Sequence, residues 1–440
     1  MQLSQSLRLS ETPKVAFVGS GGKTTAISIL AKELAAPVLI TTTTHLGVWQ
    51  ANMADRHIII RTDSDLKRID PDLNGITLIT GVPEAGRLTG LNIKWMDSIF
   101  KFSEIHDLPL LIESDGSRQL PIKAPGINEP GIPDFVDSVV VATGMSGIGK
   151  PLGHDLVHHP EIYSDLTDLQ EGDTISITSQ AKLLAHGQGG LKNIPPLAKK
   201  ILLLNQADTI SLQSQAGILA HRLDGYYEGI IVAELNKNRI HAVFEPTAAI
   251  ILAAGPSSRY GSSKPVLDYH GIPFIRSIAL SAINANLRPI IVITGANAET
   301  VRYALNDLSE DIKVIHNPDW EQGQSTSIRS GIDTVLKIGK AGSAIFLLTD
   351  LPQVTPAILR ALVEEHSLTL SPIIAPLIDS HRGNPVIFDR ITFPELVNLQ
   401  GDIGGRGIFP KFPPVYIPWN DISLLKDVDT PADYEALMND

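Results

Sequence analysis

Short apolar runs recur along the 440-residue chain, and the stretches between them carry apolar positions at helical spacing. In the first half the runs that predict strands are 14–18, 37–41, 76–80, 108–113, 137–142, 200–205 and 229–234. Between the first two, "KTTAISILAKELA" puts Ile27, Leu30, Ala31 and Leu34 on one face of a helix. The second half restarts the same grammar, with strands predicted at 248–254, 288–294, 311–316, 342–349 and 371–377. A helix over 323–339 aligns Ile328, Ile332, Val335 and Leu336. Segments 121–133 and 187–196, rich in proline and glycine, read as loops. Strand–helix alternation of this kind predicts α/β layers with mostly parallel sheets. One complete series ends before "EPTA" (245–248) and another begins after it, which predicts two domains, 1–244 and 245–440.

Composition narrows the partners. With 43% hydrophobic and 19% charged residues the chain can bury full cores, and a net charge of −12 argues against nucleic acid or an anionic membrane as partner. The absence of cysteine excludes disulfides, thiolate metal sites and cysteine nucleophiles. The opening "MQLSQSLRLSETPK" lacks the apolar core of a signal peptide, and no apolar run approaches the ~18 residues of a membrane span. The expectation is a soluble, cytoplasmic protein.

Candidate chemistry begins at "VAFVGSGGKTT" (15–25). A phosphate loop converges backbone N–H groups at a helix N-terminus on an anion, and a lysine reaches the outer phosphates. Gly19, Gly21 and Gly22 allow close approach, Lys23 supplies the charge, and Thr24 or Thr25 offers a hydroxyl to Mg²⁺. Phe17 stands where the long G-x-x-x-x-G-K-[ST] form needs glycine, so the loop resembles the short form of Mur-type ligases. A threonine-capped glycine turn is the alternative. "TTTTH" (41–45) offers hydroxyls to a metal or a γ-phosphate, or is simply a β-prone strand end. "LLIESDGSR" (110–118) ends a strand in Glu113 and Asp115, the layout of a carboxylate that holds Mg²⁺ through water. In "LLLNQAD" (202–208), Gln206 replaces the lysine of the N-K-x-D base-reading motif and leaves base specificity open.

These motifs, with "NEPGIP", "GKPL" and "VHHPE", occur in one order that resembles the YqeC-type selenium-dependent hydroxylase accessory proteins, over about 12–235. The resemblance implies a P-loop-like α/β domain that binds a nucleotide (ATP or GTP) and serves maturation of molybdenum hydroxylases, whose apoenzyme is a possible partner. Lys23, Thr24, Glu113, Asp115 and Arg118 are its expected site. His158 and His159 beside Glu161 suggest a metal pair, but adjacent histidines on a helix point apart, which favours surface or capping roles.

A second glycine-rich stretch, "LAAGPSSRYGSSKP" (252–265), is more telling. Ala253, Ala254 and Gly255 let a base and sugar pack on backbone; Ser257, Ser258 and Gly261 offer N–H groups and hydroxyls to a triphosphate; Arg259 and Lys264 supply two cations. Nucleotidyl transfer needs this kind of positioning and charge neutralisation. "AIFLLTDLPQV" (344–354) supplies Asp350 as a metal carboxylate at a strand end, and "KDVDTPADY" (426–434) offers Asp427 and Asp429. A D-T-P sequence is also a common helix start, so that last pair stays open.

Together with "NPDWEQGQSTSIRSG", "RGNPVIF" and "LQGDIGGRGIF", the stretch resembles the MobA-like nucleotidyltransferases, most closely the molybdenum cofactor cytidylyltransferases, over about 247–440. The resemblance implies a Rossmann-like (GT-A-like) three-layer α/β/α domain using Mg²⁺. Leu252, Ala253, Ala254, Arg259 and Lys264 would hold the nucleotide, with Gln324, Ser325 and Ser327 near its sugar or the cofactor. Asp350, with Asp429, would bind the metal, and Asn384, Asp402, Gly404 and Arg406 would face the second substrate. The implied reaction transfers CMP from CTP to molybdenum-bearing molybdopterin. Two departures stand out: Asn384 where the family has histidine, and Tyr260 where it has methionine. The Ala253-Ala254 pair resembles the cytidylyl branch, and guanylyl enzymes carry a glycine there. GTP or another phosphate acceptor for the second domain, and a non-catalytic cofactor chaperone for the first, are the alternatives.

Overall fold

A computed structural model of the chain describes all residues except 36, 68, 70–72, 257–259, 261–262, 309–311 and 440. It forms two compact units, Met1–Phe244 and Glu245–Asp440, each with a Rossmann-type sheet between helices.

The sheet of the first unit comprises β1 (Lys14–Gly19), β2 (Val38–Thr42), β3 (Arg56–Ile59), β4 (Ile76–Thr80), β5 (Leu110–Glu113), β6 (Ser138–Gly144), β7 (Lys199–Asn205), β8 (Gly229–Glu234) and β9 (Arg239–Phe244). Its order is β9-β8-β7-β6-β1-β5-β2-β4-β3, parallel throughout except for β9 against β8. Strands buried on both faces need no polar alternation, and β2, β5 and β6 are buried along their whole length. The glycine loop leaves the carboxyl end of β1, centrally placed between β5 and β6.

The sheet of the second unit comprises β10 (Thr247–Ala253), β11 (Ile290–Thr294), β12 (Ile312–His316), β13 (Ser343–Leu348), β14 (Ile373–Ile378), β15 (His381–Arg382), β16 (Val386–Asp389) and β17 (Val415–Pro418). The order is β12-β11-β10-β13-β16-β14-β15, with β17 beside β14. Two core clusters lie on opposite faces of β10: Ala249, Ile251 and Ala253 belong to one, and Ala248, Ile250 and Ala254 to the other.

The apolar runs mark twelve of these strands. Sequence pattern misses β3, β9, β15, β16 and β17. β3 and β17 are four-residue strands with exposed or half-buried positions, and β9 is an antiparallel edge with a bulge opposite Val232/Ala233. Among the described residues, no helix is long and apolar enough to cross a membrane.

Candidate functional site

In the second unit, β10 and β13 run side by side, with Leu252 in register with Leu348. Their carboxyl ends therefore deliver Ala254-Gly255 and Thr349-Asp350 to one rim, where open α/β sheets bind ligands. The rim opens on a cavity of about 1040 Å³. Leu252, Ala254, Gly255, Lys264, Gln324, Ser327 and Asp350 line it, as do Asn384, Asp402, Gly404 and Arg406. Three expected residues among those described do not: Ala253, Ser325 and Asp429. Ala253 points to the opposite face because side chains alternate along a strand. Ser325 is buried within the unit. Ser257, Ser258, Arg259 and Gly261 lie outside the described residues.

A carboxylate cluster occupies one wall. Asp350, Asp427 and Asp429 each present an oxygen within 4.8 Å of the others. The distant segment is brought in by main-chain bonds: Val428 donates to the Asp350 carbonyl at 3.0 Å, and the Gln353 amide donates to the carbonyls of Ser423 and Lys426, both at 2.8 Å. The helix-start reading of D-T-P is seen directly, and the same segment also brings Asp429 near Asp350. Thr430 and Asp433 exchange bonds across the start of helix Pro431–Asn439, which leaves Asp429 just ahead of the helix, 2.6 Å from the Lys264 ammonium. Burial pushes the Asp350 carboxyl up to about 6; Lys264 opposes this, and Asp427 and Asp429 add to it. Its Oδ1 is buried without a hydrogen-bond partner among the described residues. An orphaned acceptor amid crowded carboxylates fits a hard divalent cation such as Mg²⁺.

On the other side, the glycine-rich loop packs on the start of helix Gln324–Ile338. Ser325 N–H donates to the Gly401 carbonyl at 3.2 Å, and Gln324 N–H to Asp402 Oδ1 at 3.3 Å. Gly323 sits at φ +112°, where a Cβ would lie 2.6 Å from the Gly401 carbonyl. Sequence reasoning did not single out Trp320, Phe388 or Arg382, which also line the cavity. Arg382 was available in "RGNP" as a cation beside Asn384; it lies over the Phe409 ring at 5.1 Å. Tyr260, the methionine replacement, meets Tyr434 edge-on at 6.2 Å.

In the first unit, the amides of Gly19, Ser20 and Gly21 are taken by Asp115 Oδ2 and by the carbonyls of Ala142 and Leu120. The first turn of helix Lys23–Glu33 then faces a cavity of about 520 Å³ lined by Gly22, Lys23, Thr24, Thr25, Glu113 and Arg118. Thr24 donates to Glu113 Oε2 at 2.9 Å, and burial raises the Glu113 carboxyl despite Lys23 nearby. Asp115 is not brought to this cavity. Its carboxylate is buried between Lys23 at 3.1 Å and Lys123 at 2.9 Å, so it serves as their counter-ion and not as a metal ligand. Lys23 itself folds back to donate to the Gly19 carbonyl.

The first two hydroxyls of the threonine run are spent on the sheet, Thr41 donating to the Ile79 carbonyl and Thr42 to that of Glu113. Asn205 braces the loop, donating to the Gly21 carbonyl at 2.6 Å and accepting from Leu235 N–H at 3.0 Å. Sequence reasoning missed Trp49, exposed on the cavity rim beside Gln50 and Arg87. The histidine pair departs from expectation as well. It is not helical: His158 ends a short strand, and His159, at φ +63°, is the residue before helix Pro160–Thr167.

Residues 249–415 match the family model of the MobA-like NTP transferase domain, so the second unit is a nucleotidyltransferase domain. Residues 15–161 match that of the YqeC protein. The uncharacterized protein YqeC of Escherichia coli (strain K12) is 29% identical over 192 residues, 42% of this chain and 73% of that protein. The molybdenum cofactor cytidylyltransferase of the same organism is 26% identical over 187 residues, 42% of this chain and 92% of that protein. The nicotine blue oxidoreductase of Paenarthrobacter nicotinovorans is also 26% identical, over 191 residues covering 41% of this chain and 91% of that protein.

Proposed function

We propose that the second unit transfers CMP from CTP to the terminal phosphate of molybdenum-bearing molybdopterin. The observation that carries the reading is the wall formed by Asp350, Asp427 and Lys264 in a cavity of about 1040 Å³, with Asp429 packed against it. That volume lies at the upper end of the roughly 300–1,000 Å³ usual for one small ligand, which suits two substrates. A terminal phosphate oxygen attacks the α-phosphorus, a P–O bond forms, the bond to the β-phosphate bridge breaks, and pyrophosphate leaves. The nucleophile is already ionised, so no general base is needed. Asp350 with Asp427 and Asp429 would hold Mg²⁺, which neutralises charge on the transferring phosphate when bound. Lys264 meets charge that develops on the leaving group, and Arg259 is the second cation of the same loop. Ala254 at the end of β10 is consistent with a pyrimidine. The oxidoreductase relative is a reminder that a fold does not fix a reaction, so the carboxylate wall, and not the fold, supports transferase chemistry.

For the first unit we propose a P-loop-like nucleotide site for ATP or GTP that assists maturation of a molybdenum hydroxylase. Nucleotide phosphates would meet the N-terminal turn of helix Lys23–Glu33, and Trp49 offers an exposed aromatic face for a base. The test is incubation with CTP, GTP or ATP plus molybdopterin and Mg²⁺, followed by mass analysis. Molybdopterin cytosine dinucleotide and pyrophosphate from CTP alone is the expected result. A guanine dinucleotide, or turnover only with a sugar or polyol phosphate, refutes it.

A further inference from the structure

Outside both cavities, three side chains from two loops converge on the first unit. Glu129 follows the strand that carries Lys123, while His158 ends the strand paired with it and His159 comes next, ahead of helix Pro160–Thr167. Their ligand atoms lie within 4.8 Å of one another. The left-handed backbone at His159 folds its ring back beside His158, with centroids 4.0 Å apart. His159 Nε2 lies 3.8 Å from Glu129 Oε2, too far for a hydrogen bond. Two ligands about 2.1 Å from a shared tetrahedral ion stand roughly 3.4 Å apart, so that gap suits a bridging ion after a small movement.

The other ring nitrogen strengthens the case. His159 Nδ1 meets Glu161 Oε1 at 3.1 Å. A carboxylate on Nδ1–H fixes the tautomer and leaves the Nε2 lone pair facing Glu129, which is how metal-ligating histidines are usually oriented. The His158 side chain makes no hydrogen bond among the described residues.

We propose that Glu129, His158 and His159 form a divalent transition-metal site. Two imidazoles and a carboxylate are a donor set suited to zinc and its neighbours, unlike the all-carboxylate wall of the second unit. Lys123 is the competing cation, 2.8 Å from Glu129 Oε2. It is also paired with Asp115 at 2.9 Å, so it keeps one carboxylate partner, shared with Lys23, when Glu129 turns an oxygen to the metal. The metal would thereby be linked through Lys123 and Asp115 to Lys23 of the glycine loop.

The test is equilibrium dialysis of the full chain against Zn²⁺ in excess Mg²⁺, which keeps the carboxylate wall occupied. One equivalent of Zn²⁺ should bind to the native chain and equally to Asp350→Asn. His158→Ala, His159→Ala and Glu129→Gln should each weaken it at least 100-fold, and Glu161→Gln about 10-fold, the lower end for loss of an orienting partner. Absence of a Zn²⁺ equivalent in the native chain overturns the proposal without any variant. So does unchanged binding in well-folded His158→Ala and His159→Ala. Cobalt is the second probe: bound Co²⁺ should show visible absorption that Glu129→Gln alters, and an unaltered spectrum refutes the ligand set.

Discussion

Asp350→Asn should stabilise the metal-free second unit while abolishing its transferase activity. Asp350 titrates at about 6 in the folded chain against an ordinary 3.8. A raised carboxyl means the folded state binds the proton more tightly than the unfolded state. Stability therefore falls as pH rises from about 4 to 6, and the full cost is present above that. At 1.36 kcal/mol per pH unit the ceiling is about 3 kcal/mol. Solvent reaches the cavity, so about 1–3 kcal/mol is expected. An asparagine of equal shape carries no charge to desolvate and can donate to Asp427 or Asp429. For a unit of this size, 1 kcal/mol moves Tm by about 2–4 °C, which predicts a rise of roughly 2–12 °C at pH 8 and little change at pH 4. Calorimetry without metal at both pH values is the assay. Mg²⁺ should raise the native Tm and leave that of Asp350→Asn nearly unmoved. A variant that melts earlier at pH 8, or the same Tm difference at both pH values, refutes the reasoning.

Lys264→Ala should cut pyrophosphate release from CTP about 100-fold or more, the scale for loss of one charge-stabilising donor; release within a few-fold of native would remove Lys264 from the site. Gly323→Ala forces a side chain into positive φ and against the Gly401 carbonyl. It should cost about 1–3 kcal/mol and raise the KM for one substrate, as read by melting and initial rates. Lys23→Ala should abolish nucleotide binding to the first unit in calorimetric titration and spare transfer by the second. Normal binding would reduce the loop to a turn.

Much of the fold was legible because parallel strands buried on both faces appear as unbroken apolar runs. Most strands that escaped lie where burial is partial, as in Val415–Pro418, whose positions are mostly exposed; Val386–Asp389 is buried throughout but only four residues long. Candidate site residues at strand ends, such as Asp350 and Glu113, were readable because an apolar run stops at a carboxylate. What sequence could not give was pairing across long separations. Asp115 looked like a metal ligand until Lys123, on another segment, was found against it. The histidine pair was misread because a helix was assumed where His159 takes a left-handed turn. Trp49 carried no motif at all; only its place on the cavity rim distinguishes it.

The carboxylate wall also sets an order of events during synthesis. Asp350 leaves the ribosome some 80 residues before its two partner carboxylates, a delay of about 4–16 s at 5–20 residues per second. Through that interval the nascent unit can close its central strands, but the cavity lacks two of the three carboxylates of its wall. The bond from Val428 to the Asp350 carbonyl is among the last to become possible. Catalytic competence is thus deferred until the central sheet strands have been made, and a chain broken off before Asp427 would keep a nucleotide-sized hollow with only Asp350 of its carboxylate set.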